Sequence, residues 1–289
     1  MIVKKVIPCG YCKGVIGAIN LAKKTKQDNP NKNVYVLGML VHNQHVIEEL
    51  NKQGIITLDD TNTSKEDLLN KISDGIVIFT AHGISKQIKQ KAIDKGLQIV
   101  DASCEDVLKT HAIIEDYINK GYDVLFYGIK NHPETLASLS ISNNIHLIAS
   151  KEDINNLQIN NDKLVLTSQT TMSNTQFMNI ANIAKEKYPN IIIEKQICNA
   201  TTLRQQAIID LKDCDLLYIV GDKKSNNTNK LVSIALEKGI KKVFLIEDVN
   251  EINDIDLKGI NNVYVGAGAS TPSYLIDEVI EYLSSKSFN

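Results

Sequence analysis

Residues 104–117 read CEDVLKTHAIIEDY: a cysteine, a short polar opening, then apolar residues at helical spacing. The same design recurs at residues 12–24, CKGVIGAINLAKK, and at residues 198–211, CNATTLRQQAIIDL. The three cysteines, Cys12, Cys104 and Cys198, stand 92 and 94 residues apart. A repeat of that length in a chain of 289 residues predicts three similar units rather than one large core.

Short β-branched runs surround these segments: VYVLG at 34–38, IVIFTAHG at 76–83, DVLFYG at 123–128 and KLVLTSQT at 163–170. LLYIVG at 216–221, KVFLIED at 242–248 and NVYVGAGAS at 262–270 continue the series. All are apolar on both alternating positions, the pattern of strands covered on both faces in a parallel sheet. Amphipathic helical patterns lie between them at 15–27, 43–53, 107–120, 174–188, 203–212, 231–238 and 274–283. Strand, turn and helix in alternation predict an α/β fold with crossover connections. The units are expected at 14–103, 104–195 and 196–289, the last completed by the N-terminal segment 1–13. No low-complexity tract or Pro/Gly-rich linker marks a boundary between them.

Polar residues at strand ends repeat with the cysteines. His42 lies 30 residues after Cys12, His132 lies 28 after Cys104, and Ser225 or Asn227 lies 27 or 29 after Cys198. A further set follows the same order: His82, Thr170 and Ser270 lie 70, 66 and 72 residues after their respective cysteines. Ligands bind at the C-terminal strand ends of open α/β sheets. Three such edges facing one another predict a pseudo-threefold arrangement around a central cavity with one thiolate from each unit.

Composition narrows the chemistry. Thirty-two basic residues against 34 acidic give a net charge of −2, which argues against nucleic acid or a membrane surface as partner. Arg204 is the only arginine, so a phosphate or carboxylate ligand is not held by a cluster of guanidinium forks. Five cysteines scattered over the chain, an odd set, fit a reducing cytosol better than a disulfide framework. The opening MIVKKVIPCGYCKG has no signal-peptide apolar stretch and no 18-residue apolar run follows, so a cytoplasmic protein is expected.

Three converging thiolates suit zinc or an iron–sulfur cluster. A structural zinc site takes four ligands, usually from paired C-x-x-C knuckles, and Cys9-Gly-Tyr-Cys12 has no second pair. Read alone, that pair is also a thioredoxin-like redox motif, but Cys9 has no counterpart in the other units. A [4Fe–4S] cluster held by three cysteines keeps one iron open to a substrate oxygen. His42, His82, Ser225, Asn227 and Ser270 are donors able to surround a phosphate with the help of helix N-termini. Glu134 in Asn131-His132-Pro133-Glu134 stands two residues from a histidine, suited to proton delivery. Each has a structural alternative: a histidine after a strand as a cap, residues 225–229 as an N-cap loop, and GAGAS as a tight turn.

The chain resembles the LytB family of 4-hydroxy-3-methylbut-2-enyl diphosphate reductases, the last enzymes of the methylerythritol phosphate route to isoprenoids. The resemblance rests on GYCKGV around Cys12, VHN at 41–43, AHG at 81–83, DASC ending at Cys104 and HPE at 132–134. SQTT at 168–171, ICNATTLRQ around Cys198, SNNTN at 225–229 and AGAS at 267–270 complete it, in family order over essentially the whole length. It implies a [4Fe–4S] cluster on Cys12, Cys104 and Cys198. It implies a diphosphate site of His42, His82, Ser225, Asn226, Asn227 and Ser270, Asn226 standing where a serine is common. His132, Glu134 and Thr170 are implied around the substrate hydroxyl, with Glu134 as proton source. The implied reaction removes that hydroxyl with two electrons and two protons, giving isopentenyl and dimethylallyl diphosphate. A separate low-potential donor of ferredoxin or flavodoxin type supplies the electrons, because VGAGAS lacks the spacing of a dinucleotide fingerprint.

Glu105 also departs from the family, which commonly has proline after the second cysteine. Two other functions would use similar residues: an iron–sulfur enzyme of the same fold acting on another small phosphate ester, and a non-catalytic iron–sulfur sensor. The diphosphate set and His-Pro-Glu argue against the first. A sensor needs neither the acid pair nor a ring of phosphate donors.

Overall fold

The computed structural model describes residues 1–60 and 63–286. In chain order the first elements are β1 (Ile2–Lys5), α1 (Lys13–Asp28), β2 (Val34–Leu37), α2 (Gln44–Lys52), β3 (Ile55–Leu58), α3 (Lys65–Asn70), β4 (Ile76–Phe79), α4 (Lys86–Asp94) and β5 (Gln98–Asp101). Then come α5 (Glu105–Asn119), β6 (Asp123–Tyr127), α6 (Pro133–Leu139), β7 (Ile145–Ile148), α7 (Lys151–Asn156), β8 (Leu164–Ser168), α8 (Asn174–Lys187) and β9 (Ile192–Ile193). The last are α9 (Asn199–Ile209), β10 (Leu216–Val220), α10 (Asn226–Glu237), β11 (Lys242–Ile246), β12 (Asn262–Ala267) and α11 (Ser273–Ser285).

The strands form three four-stranded sheets, and every pair is parallel. Their orders are β3-β2-β4-β5, β7-β6-β8-β9 and β11-β10-β12-β1. Each follows one plan: an edge strand, two inner strands and a second edge strand whose chain runs on into a cysteine. In the third sheet that last edge is β1 from the N-terminus, in register with β12 from Ile2↔Asn262 to Lys5↔Val265.

The chain falls into two compact bodies. One comprises residues 1–15, 42–46 and 199–289 and carries the sheet of β1, β10, β11 and β12. The other comprises residues 16–41 and 47–198 and carries the remaining two sheets.

Alternation along the strands explains why both faces of a sheet are covered. In β6, Leu125 and Tyr127 pack with Phe177 and Ala181 of α8. Val124 and Phe126, facing the other way, pack with Ile114 of α5. In β10, Leu216, Tyr218 and Val220 meet Leu275, Ile276 and Val279 of α11, whereas Leu217 and Ile219 meet Leu231 and Ile234 of α10.

All six inner strands carry the apolar runs read from the sequence. The strands that the runs miss, β1, β3, β5, β7 and β9, are all edges. Edge strands lie partly in solvent, and lysine, glutamine and aspartate interrupt them, as in IVKK of β1 and QIVD of β5. Helices α9 and α10 start four or five residues earlier than their apolar periods, at Asn199 and Asn226. Their first turns carry polar residues, so periodicity is silent there.

Close packing of the loop after β12 against the first turn of α10 gives a test. A Cβ built on Gly268 would lie 2.2 Å from Thr228 Oγ1, a hydroxyl wholly buried in α10. Gly268→Ala should therefore cost about 1–3 kcal/mol of stability in urea unfolding. Adding Thr228→Ala, which removes the obstructing atom, should restore most of the loss.

Candidate functional site

One main-chain hydrogen bond recurs in all three sheets. Cys12 N–H donates to Ala269 O, Cys104 N–H to Ala81 O and Cys198 N–H to Thr170 O, each at 3.0 Å. The acceptor lies in the loop after the neighbouring inner strand, so the ladder extends past the strand end and pins the cysteine at the C-terminal edge. A helix follows at once in each case: α1 at Lys13, α5 at Glu105 and α9 at Asn199. Helix N-termini favour anionic groups, which suits thiolate ligands. None of the five cysteines is in a disulfide, and all are partly exposed. Glu105 is the first helical residue of α5, where an acidic side chain complements the dipole and proline is equally at home.

These bonds also refine the repeat. By their acceptors, Thr170 is equivalent to Ala81 and Ala269, which makes Thr171 rather than Thr170 the counterpart of His82 and Ser270. The other polar set aligns through glycine. Gly38, Gly128 and Gly221 each follow an inner strand and donate to Leu58 O, Ile148 O and Ile246 O at 2.7, 3.0 and 2.8 Å. His42, His132 and Ser225 each stand four residues beyond that glycine.

The larger body holds the acid. His132 is the N-cap of α6, Pro133 its first residue and Glu134 its second. Glu134 N–H donates to His132 Nδ1 at 3.2 Å, so a neutral His132 carries its proton on Nε2 and offers it as a donor. The Glu134 side chain turns inward, 2 % exposed. Thr170 N–H donates to its Oε1 at 2.6 Å and Thr170 Oγ1 to its Oε2 at 3.0 Å. Burial raises the carboxyl to about 7, overriding those two bonds, which favour the charged form. A carboxyl that keeps its proton near neutrality and touches a hydroxyl that both donates and accepts is a proton-delivery pair.

The His82 ring stands edge-on to that of His132, centroids 5.5 Å apart, and its Nδ1 lies 3.4 Å from Thr80 Oγ1. Gly83 beside it has φ +84, and a Cβ there would come within 3.0 Å of His111 Cε1, so AHG requires its glycine.

In the smaller body, Ser225 caps α10 by accepting from Thr228 N–H, so the N-cap reading holds. Its hydroxyl proton is still available to a ligand. Asn226 and Asn227 follow in the first turn and are buried. Asn227 Oδ1 accepts from Thr201 Oγ1 at 3.4 Å, and its Nδ2 is buried with no protein partner among the described residues. An amide donor at a helix N-terminus, buried in this way, fits an anion. Ser270 sits in the turn closed by Thr271 N–H to Gly268 O and donates its proton to His42 O at 2.9 Å. In this conformation it holds the His42 main chain.

Two residues given no role in the sequence reading matter here. Gln169, fully buried, accepts from Ile129 N–H and Thr135 Oγ1 and donates to Thr171 Oγ1, tying the His-Pro-Glu loop to the Thr170 loop. Thr201 orients the Asn227 amide. A polar residue directly after an apolar strand was the one signal for Gln169; Thr201 has none, since its partner lies 26 residues away.

A family model described as LytB protein matches residues 3–284. The 4-hydroxy-3-methylbut-2-enyl diphosphate reductase of Bacillus subtilis (strain 168) is 43 % identical over 286 residues, covering 98 % of this chain and 90 % of that one. The protein of the same name from Bacillus cereus (strain AH820) is 44 % identical with the same coverage. Among solved structures, the E-1-hydroxy-2-methyl-but-2-enyl-4-diphosphate reductase of Plasmodium falciparum superposes with a TM-score of 0.93 at 32 % identity, covering 100 % of this chain and 89 % of that one. A second, described as (E)-4-hydroxy-3-methyl-but-2-enyl diphosphate reductase, the terminal enzyme of the non-mevalonate pathway, gives 0.69 at 27 % identity, covering 99 % of this chain and 100 % of that one.

The raised Glu134 carboxyl sets a pH dependence. Between the ordinary value of 4.5 and about 7, the native state keeps a proton that the unfolded chain has released, so stability falls as pH rises through that window. Glu134→Gln keeps the shape and both Thr170 contacts but cannot ionise. Urea unfolding at pH 5 and pH 8 should show the variant gaining on wild type by roughly 2–3 kcal/mol at the higher pH. Parallel pH profiles would remove the buried-acid description.

Proposed function

The chain belongs to the LytB family, and from that premise we propose that it reduces 4-hydroxy-3-methylbut-2-enyl diphosphate to isopentenyl and dimethylallyl diphosphate. The family match over residues 3–284 is the observation that carries this reading. The reaction replaces an allylic C–OH by C–H, taking two electrons and two protons and releasing water. On this reading the three sheets belong to three α/β units, 14–103, 104–195 and 196–289 with 1–13, and Cys12, Cys104 and Cys198 bind one [4Fe–4S] cluster. The identical setting of the three thiols, at an edge-strand end and ahead of a helix, supports the assignment; Cys9 and Cys214 do not share it. Such a cluster supplies single electrons and one iron without a protein thiolate.

The chain's own groups do the rest. His42, His82, Ser225, Asn226, Asn227 and Ser270 form the diphosphate site, and the buried Asn227 amide supports it most directly. Anchoring the diphosphate orients the far end of the substrate, where positioning lowers the barrier. His132, held as an Nε2–H donor, and Thr170 bind the hydroxyl end. Glu134, protonated near neutrality, passes its proton through the Thr170 hydroxyl so that the hydroxyl leaves as water. The electrons come from an external ferredoxin- or flavodoxin-type donor. No described helix is long and apolar enough to cross a membrane.

The test is anaerobic reconstitution followed by turnover of the diphosphate with a reduced low-potential donor. Wild type, Cys9→Ser and Cys214→Ser should hold about four irons per chain, whereas serine at position 12, 104 or 198 should impair assembly. Glu134→Gln should keep the cluster spectrum and lose 10²-fold or more in turnover, about the share of general acid catalysis. Equal tolerance of all five serines, or normal turnover without the acid, contradicts the assignment.

A further inference from the structure

Arg204 is the only arginine in the chain, it is 5 % exposed, and the proposed reaction gives it no role. It lies on α9, where its Nη1 donates to Ala200 O at 2.9 Å, in the first turn of the same helix. Its Nη2 donates to Gly10 O at 2.6 Å, across 194 residues of sequence. One planar fork therefore bridges the start of α9 and the loop of residues 9–12. That loop is also held by Cys12 N–H on Ala269 O. Gly10 has φ +78, and a Cβ there would lie 3.3 Å from Ile276 Cδ1, so the loop runs close against α11. Burying a guanidinium is costly unless its geometry is satisfied, and a lysine ammonium cannot span two carbonyls as a rigid fork does.

We infer that Arg204 is a positioning residue for Cys12: its guanidinium ties the main chain at Gly10 to the first turn of α9, the helix that begins directly after Cys198, and so fixes the loop that presents the Cys12 thiol. The inference rests on the proposed ligand role of Cys12 for its consequence and on the two carbonyl contacts for its geometry. It gives the lone arginine a place beside the loop that carries Cys12. It also accounts for an arginine where lysine serves every other basic position.

The test compares full-length wild type, Arg204→Lys and Arg204→Met. In iron-free chains, amide hydrogen exchange over residues 9–15 should be about tenfold faster or more in the methionine variant. The lysine variant, which keeps the charge and one carbonyl contact, should lie between. Exchange over residues 164–172, in the other body, should not change, which separates a loosened loop from general unfolding. In anaerobically reconstituted chains, iron loss to a chelator should follow the same order, fastest in methionine. Should the methionine variant fail to fold, the lysine variant carries both readouts. Unchanged exchange over residues 9–15 overturns the inference, and so does unchanged iron loss. Failure of wild type to assemble a cluster would instead overturn the ligand reading, and the exchange result would stand apart from it.

Discussion

A cysteine amide bonded to the carbonyl of a neighbouring strand-end loop, made three times at 3.0 Å, is the constraint on which the rest depends. The edge strands that lead into these cysteines are short, four residues in β1 and β5 and two in β9. Strands of that length have little pairing of their own, so the bond beyond the strand end helps set where the chain stops and the helix begins. It fixes the cysteine at the edge where parallel α/β sheets present their ligands. The helix that follows turns its N-terminus toward the same edge. Thiol position, helix start and sheet register are thus one geometric decision, repeated in each sheet.

Much of this was legible because it is periodic. Inner strands covered on both faces must be apolar throughout, and all six were read as such. The edges were hidden because a strand half in solvent tolerates residues such as Lys4, Lys5 and Asp101. The polar repeat was legible to within a residue: offsets from cysteine placed Thr170 with His82 and Ser270, whereas the ladder makes Thr171 their equivalent. Loop length between strand and cysteine varies, and only hydrogen bonding fixes the alignment. Glu134 was found from its neighbours in sequence, but its burial and its contact with Thr170 come from packing. Gln169 and Thr201 escaped because each acts on residues distant in sequence.

The scarcity of arginine takes on a physical sense. The donors proposed for the diphosphate are amides, hydroxyls, imidazoles and helix-terminal N–H groups, several of them oriented by a second contact. Thr201 holds the Asn227 amide and Thr228 N–H engages Ser225; at the hydroxyl end, Glu134 N–H selects the His132 tautomer in the same way. Such donors bind through preset direction, with little mobile charge to reorganise. The one guanidinium is directed at main-chain carbonyls, where a planar fork has a use that lysine lacks.

The most direct test of the central claim, that three cysteines share one cluster with one iron lacking a protein thiolate, is the Mössbauer spectrum of ⁵⁷Fe-reconstituted protein before and after adding the diphosphate substrate. The account predicts that a single iron component changes its parameters on addition while the thiolate-bound irons keep theirs. A spectrum of uniformly thiolate-ligated iron, indifferent to the substrate, would contradict it.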